Sequence, residues 1–165
     1  MAYEFDPHEI YEMAIRIEMN GAAFYCAAAG QFPDPETRAV LVELAKMEEA
    51  HQRTFERMRA NLPEDAAGAD GGAMDDEVAR YLHAFVAGAV FDVTDDPAEF
   101  LRADVSIGEV LIEAIRRERD SILFYLGIRQ MRSSKAVGDQ IDAIIREEMG
   151  HITQLNDQLE LMGGA

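Results

Sequence analysis

The chain has 165 residues, 48% of them hydrophobic, and a net charge of -17. That length suits one domain with its own core, and the apolar content argues against disorder. The acidity speaks against nucleic acid and anionic membrane surfaces as partners, since nothing here neutralises phosphates, and otherwise marks a well-solvated surface.

The opening "MAYEFDPHEIYEM" lacks the basic start and apolar middle of a signal peptide, and no apolar run approaches the roughly 20 residues of a membrane span. A cytoplasmic protein is expected. Asp6-Pro7 sets an N-cap before proline at the first helical position, with Glu9 in the capping-box place, and predicts a helix over 7–30. Within it lies Cys26, the only cysteine. It excludes an internal disulfide and any CxxC-held zinc, iron–sulfur cluster or rubredoxin-type iron. The breaker "GQFPD" follows, and Asp34-Pro35 opens a second helix over 35–61.

Residues 62–106 form a long connection. Its first part, "PEDAAGADGGAMDD", is glycine-rich and acidic and reads as a mobile linker. Its second part carries Val78, Leu82, Phe85, Val86 and Ala89 at helical spacing. These predict a short amphipathic helix over 75–90, packed on the rest of the chain or on a second subunit. Ser106 with Glu109 is an S-x-x-E capping box opening a helix over 107–131, and Ser133 or Ser134 caps another over 135–161. Short connections make antiparallel neighbours, so the expected fold is all-α: one domain over 1–165, a four-helix bundle of two helical hairpins joined by a long crossover.

The two hairpins repeat. "AIRIEMNGAAFY" at 14–25 aligns with "AIRRERDSILFY" at 114–125, and "LAKMEEAH" at 44–51 with "IIREEMGH" at 144–151, all at one offset of a hundred residues. Glu18 thus corresponds to Glu118, Tyr25 to Tyr125, Glu48 to Glu148 and His51 to His151. Each falls on an apolar stripe: Tyr11, Ala14, Glu18, Ala22, Tyr25, Ala29 in the first helix; Leu41, Leu44, Glu48, His51, Phe55, Met58 in the second. The later pair gives Leu111, Ala114, Glu118, Ile122, Tyr125 and Ile141, Ile144, Glu148, His151, Leu155. Glu43, Glu49 and Glu147 are expected on solvated faces. Cys26 falls off the stripe that carries Glu18 and reads as a small helix-packing residue.

A single stripe histidine is commonly a hydrogen-bonded core residue, and Tyr25 and Tyr125 could be packing aromatics. Four carboxylates in one core are different. Each unpaired buried charge costs several kcal/mol or more, and the like charges repel. No stripe lysine or arginine offsets them, whereas a pair of dications does. Glutamate and histidine at i and i+3 share a helix face and reach one metal. Two such helices, plus one glutamate from each of the other two, make the di-iron or di-manganese carboxylate constellation of helical bundles. The candidate ligands are Glu18, Glu48, His51, Glu118, Glu148 and His151. The expected cofactor is two iron ions, with manganese or zinc as alternatives.

At these residues the chain resembles the ferritin-like superfamily and, within it, the rubrerythrin family. The resemblance covers both hairpins, and "LAKMEEAH" and "IIREEMGH" are similar to the family's paired ExxH segments. It implies that Glu48 and Glu148 bridge the metals, that His51 and His151 are terminal ligands, and that Glu18 and Glu118 are terminal carboxylates. It also implies a catalytic role beside the ligands for Tyr25 and Tyr125. Two features depart from the family: the four-cysteine rubredoxin iron is missing from these residues, and Ser121 stands where rubrerythrins carry an extra glutamate. The activity implied is that of a non-haem di-iron oxidoreductase in oxidative stress, reducing hydrogen peroxide with electrons from an external donor. A ferroxidase using dioxygen and Fe(II), or a structural bundle with a non-redox metal pair, are the alternatives. A homodimer is the expected assembly.

Overall fold

The computed structural model describes residues 7–62, 76–86, 96, 99–102, 104–131 and 134–163. Its helices are α1 (Pro7–Gln31), α2 (Pro35–Ala60), α3 (Asp76–Val86), α4 (Ile107–Arg129) and α5 (Lys135–Gly163), with a short 3-10 turn at Phe100–Arg102. No strand occurs among the described residues. No helix among them is long and apolar enough to cross a membrane.

Local chemistry sets the helix starts. The Asp34 carboxylate accepts from Thr37 N–H at 2.8 Å, with proline next in line. At α4 the capping box is complete: Ser106 Oγ accepts from Glu109 N–H at 3.2 Å, and Glu109 Oε2 accepts from Ser106 N–H at 2.8 Å. Of the two serines before α5, Ser134 accepts from Val137 N–H at 3.3 Å, while Ser133 lies outside the described residues. So do Asp6, the linker 63–75 and the ends of the expected 75–90 helix.

Packing follows the stripes. α1 lies along α2 and α4 along α5, and the hairpins meet through α1 against α4 and α2 against α5. Two apolar clusters fill the bundle. One gathers Ile10, Tyr11, Phe55, Met58, Phe124, Tyr125, Ile128, Ile141 and Ile144. The other gathers Phe24, Tyr25, Leu41, Leu44, Val110, Leu111, Ala114 and Leu155. On every long helix the stripe glutamate, with its histidine where there is one, falls between the residues of these two clusters. The polar layer is thus sealed at both ends by apolar side chains. Ile122 departs from its stripe and is only partly buried.

The crossover helix α3 packs on the bundle itself. Leu82 and Phe85 join the first cluster, and Tyr81 Oη donates to Leu123 O at 2.6 Å. Gly127 makes that approach possible, because a Cβ there would lie 2.7 Å from Leu82 Cδ2 and 2.8 Å from Tyr81 Cε1.

Candidate metal centre

Helical periodicity carries six polar side chains to one layer of the bundle. Glu18 on α1, Glu48 and His51 on α2, Glu118 on α4, and Glu148 and His151 on α5 are each at most 3% exposed. They form two overlapping groups, Glu18, Glu48, His51 and Glu148 in one, and Glu48, Glu118, Glu148 and His151 in the other. In each group the potential ligand atoms lie within 4.8 Å of one another. Glu48 and Glu148 belong to both.

The imidazoles turn Nδ1 toward the carboxylates. His51 Nδ1 lies 3.1 Å from Glu148 and 3.6 Å from Glu18. His151 Nδ1 lies 2.8 Å from Glu148, 3.2 Å from Glu48 and 3.5 Å from Glu118. The two rings stack with centroids 5.8 Å apart. Despite this proximity, both Nδ1 atoms, both Glu148 oxygens, Glu18 Oε2 and Glu48 Oε1 are buried without a hydrogen-bond partner among the described residues. Buried polar atoms are normally satisfied, so a cluster of orphans facing a common space is what a cation would complete.

The tyrosines cross between the halves. Tyr25 Oη donates to Glu118 Oε1, and Tyr125 Oη donates to Glu18 Oε1. Burial, then the nearby carboxylates, push both phenols well above their ordinary pKa, so they remain protonated donors.

Without metal the layer is electrostatically stressed. Burial and neighbouring carboxylates push Glu48 and Glu118 up to about 8, and raise Glu18 well above the usual range. Burial would raise Glu148 too, but the imidazoles of His151 and His51 outweigh it and hold that carboxyl at about 2. Burial opposes the charge on His51 and His151, yet the surrounding carboxylates win and push both up to about 12. Protons therefore stand in for cations in the metal-free layer, and a pair of dications would displace them. The donor set fits such a pair: carboxylate oxygens and imidazole nitrogens suit iron and manganese.

One residue at the layer departs from expectation, and a second carried none. Glu147, expected on a solvated face, has a side chain 52% exposed but reaches across to His51, whose Nε2 donates to its Oε2 at 2.7 Å. Glu43 and Glu49 are exposed as expected. Gly21 is the other: a Cβ there would lie 2.6 Å from Glu48 Oε2, so the glycine leaves room for that carboxylate. Its sequence signal was a glycine in mid-helix, where it costs about 1 kcal/mol relative to alanine. Ser121, the residue corresponding to Gly21, is buried and donates to Arg117 O at 3.0 Å, adding no carboxylate. Cys26 is exposed, so the packing role expected for it is incorrect. It lies beside the stripe, about 100° round the helix from Tyr25, where α1 meets solvent.

No family model matches the chain, and no curated protein does. A solved structure is similar, that of a Thermotoga maritima protein described as ferritin-like and diiron-carboxylate. It has a TM-score of 0.74 and 25% identity, covering 97% of this chain and 98% of that one. The chain has the ferritin-like fold, and its buried Glu/His cluster fits a dinuclear metal protein. The narrower resemblance to rubrerythrins is not singled out by this likeness.

Proposed function

We propose that the chain is a di-iron peroxide reductase, in which Glu18, Glu48, His51, Glu118, Glu148 and His151 hold two metal ions and an external donor supplies electrons. The observation that supports the metal pair is the two overlapping ligand groups sharing Glu48 and Glu148, a donor set that would serve two adjacent ions. A bound iron pair supplies one electron from each ion and the Lewis acidity to polarise an oxygen substrate.

The protein's part is positioning and proton control. Glu18 is held at Oε1 by Tyr125, which leaves the orphaned Oε2 toward the centre. Tyr25 steadies Glu118 at Oε1, the oxygen that also faces His151 Nδ1. Reducing hydrogen peroxide to two waters consumes two protons with two electrons, and the Oη atoms of Tyr25 and Tyr125 hold protons against the terminal carboxylates. The apolar clusters on either side keep bulk water from the layer. A small oxidant suits such a closed site. The surface groove between α3 and α4, lined by Val78, Tyr81 and Leu126 among others, includes none of the six residues.

Cys26 is the sole cysteine of these residues, so no four-cysteine iron is built here to return electrons. Reduced, iron-loaded protein should therefore consume close to one equivalent of peroxide per site in a stopped-flow burst. Steady turnover should need an added reductant, such as a rubredoxin or flavoprotein system. Sustained turnover without donor would mean a catalase-like cycle and contradict this reading. Catalytic oxidation of excess Fe(II) by dioxygen, with sluggish peroxide reaction, would favour a ferroxidase. Tight zinc binding with no redox response from iron-loaded protein would favour a structural role.

A further inference from the structure

The two halves of the centre differ in what stands behind their histidines. His51 and His151 both turn Nδ1 toward the carboxylates, so Nε2 of each points away from the layer. For His51 that outer nitrogen donates to Glu147 at 2.7 Å. For His151 the outer nitrogen is buried and has no hydrogen-bond partner among the described residues. The offset of a hundred residues supplies the reason: the counterpart of Glu147 is Met47, "KMEEAH" against "REEMGH". A thioether is an uncharged, weak acceptor where a carboxylate is a strong one.

This bears directly on metal affinity. A histidine that ligates through Nδ1 as a neutral ring carries its proton on Nε2. A carboxylate receiving that proton fixes the tautomer, holds the ring in place and makes the ligating nitrogen more basic. Glu147 does all three for His51. His151, ligating in the same way, buries an N–H donor that no described residue receives, and among those residues packing is what holds its outer edge. Loss of such an outer carboxylate typically lowers metal affinity about 10–100-fold.

Resting on the reading that the six residues hold two ions, we infer that the two metal positions are unequal. The position served by Glu18 and His51 fills first and binds more tightly. The position served by Glu118 and His151 fills second, and Glu147 is the positioning residue that sets the order. Both ions share Glu48 and Glu148, so the first opposes the second in any arrangement. The assignment therefore turns on how substitution at 147 and 47 changes the steps, and on which histidine responds first.

The test uses metal alone, without oxidant or donor. Zn(II) is titrated into the metal-free protein under calorimetry, with the histidine ring resonances followed by NMR. The His51 resonances should move with the first equivalent and those of His151 with the second. Glu147→Met should weaken the first step about 10–100-fold and bring the two steps together. Met47→Glu should tighten the second step, and Glu147→Gln, whose amide oxygen still accepts, should fall between Glu147→Met and the parent. Both positions lie at least partly exposed, so the substitutions spare the core. If two ions bind but both histidines respond together, or Glu147→Met leaves both steps unchanged, the inequality is overturned while the six-ligand reading stands. If no ions bind, or binding survives loss of Glu48 and Glu148, the six-ligand reading fails and takes the inequality with it.

Discussion

Gly21→Ala separates metal binding from folding. The added Cβ would sit 2.6 Å from Glu48 Oε2, 3.2 Å from its Cδ and 3.3 Å from its Cγ, so the carboxylate must move. In metal-free protein two effects oppose each other. Alanine improves the helix interior by about 0.8–1.0 kcal/mol, whereas overpacking costs about 1–3 kcal/mol, nearer the low end where the struck atom is a side-chain tip. The metal-free variant should thus lie within about 2 kcal/mol of the parent. Metal binding has no such offset, because Glu48 belongs to both ligand groups. Disturbing the surroundings that position a ligand typically weakens binding by about 10–100-fold, which removes about 1.4–2.7 kcal/mol of metal-linked stability per ion. At about 2–4 °C per kcal/mol for a chain of this size, the metal-induced rise in melting temperature should shrink by about 3–11 °C per ion. Thermal melts with and without Mn(II) read this directly. A variant whose melting temperature climbs with metal as far as the parent's would refute the role given to Gly21.

Gly127→Ala is the matching control at a glycine remote from the ligands: its Cβ meets Leu82 and Tyr81 at 2.7–3.0 Å. It should destabilise metal-free and metal-loaded protein alike, by up to about 2 kcal/mol, with the metal-induced rise intact; a selective loss of metal response would contradict this. The pH dependence has a definite sign. Glu48 and Glu118 are raised to about 8, and His51 and His151 to about 12, so the folded metal-free protein binds more protons than the unfolded chain. Their stabilisation is complete below the unfolded values and is lost as pH rises, between about 4.5 and 8 for the carboxyls and from about 6.5 upward for the imidazoles. Glu148, held at about 2, acts oppositely, and its contribution disappears only as pH falls below about 4.5. Because metal displaces those protons, the gap between metal-loaded and metal-free melting temperatures should widen from about pH 5.5 to about pH 8.5, surface charge being common to both. A gap that narrows with pH would contradict the assignment of these groups.

Much of this was legible in the sequence because it is local or periodic. Proline after an aspartate and the S-x-x-E box mark helix starts through contacts within four residues, and both act as expected at α2 and α4. Glu18, Glu48, His51, Glu118, Glu148 and His151 stood out because each interrupts an apolar stripe and recurs a hundred residues away. What escaped depends on contacts between helices. Glu147 lies on a polar face and is recruited only because α5 sets it beside His51. Gly21 matters through the space it leaves for a side chain of α2, and Gly127 through the approach of α3. Pattern within one helix carries no information about these partners. The crosswise bonds of Tyr25 to Glu118 and Tyr125 to Glu18 likewise become visible only when the hairpins meet.

Metal analysis of reconstituted protein decides whether the repeated glutamates and histidines hold a pair of metal ions. Parent protein and a Glu48→Ala, Glu148→Ala double variant are loaded anaerobically with Fe(II), desalted and measured, with circular dichroism as a check that both remain helical. Those two carboxylates are common to both ligand groups, so their loss removes ligands from both positions at once. The expected result is two ions per chain in the parent and far fewer than one in the double variant. A parent that retains no metal, or a double variant that still holds two ions, would contradict the claim.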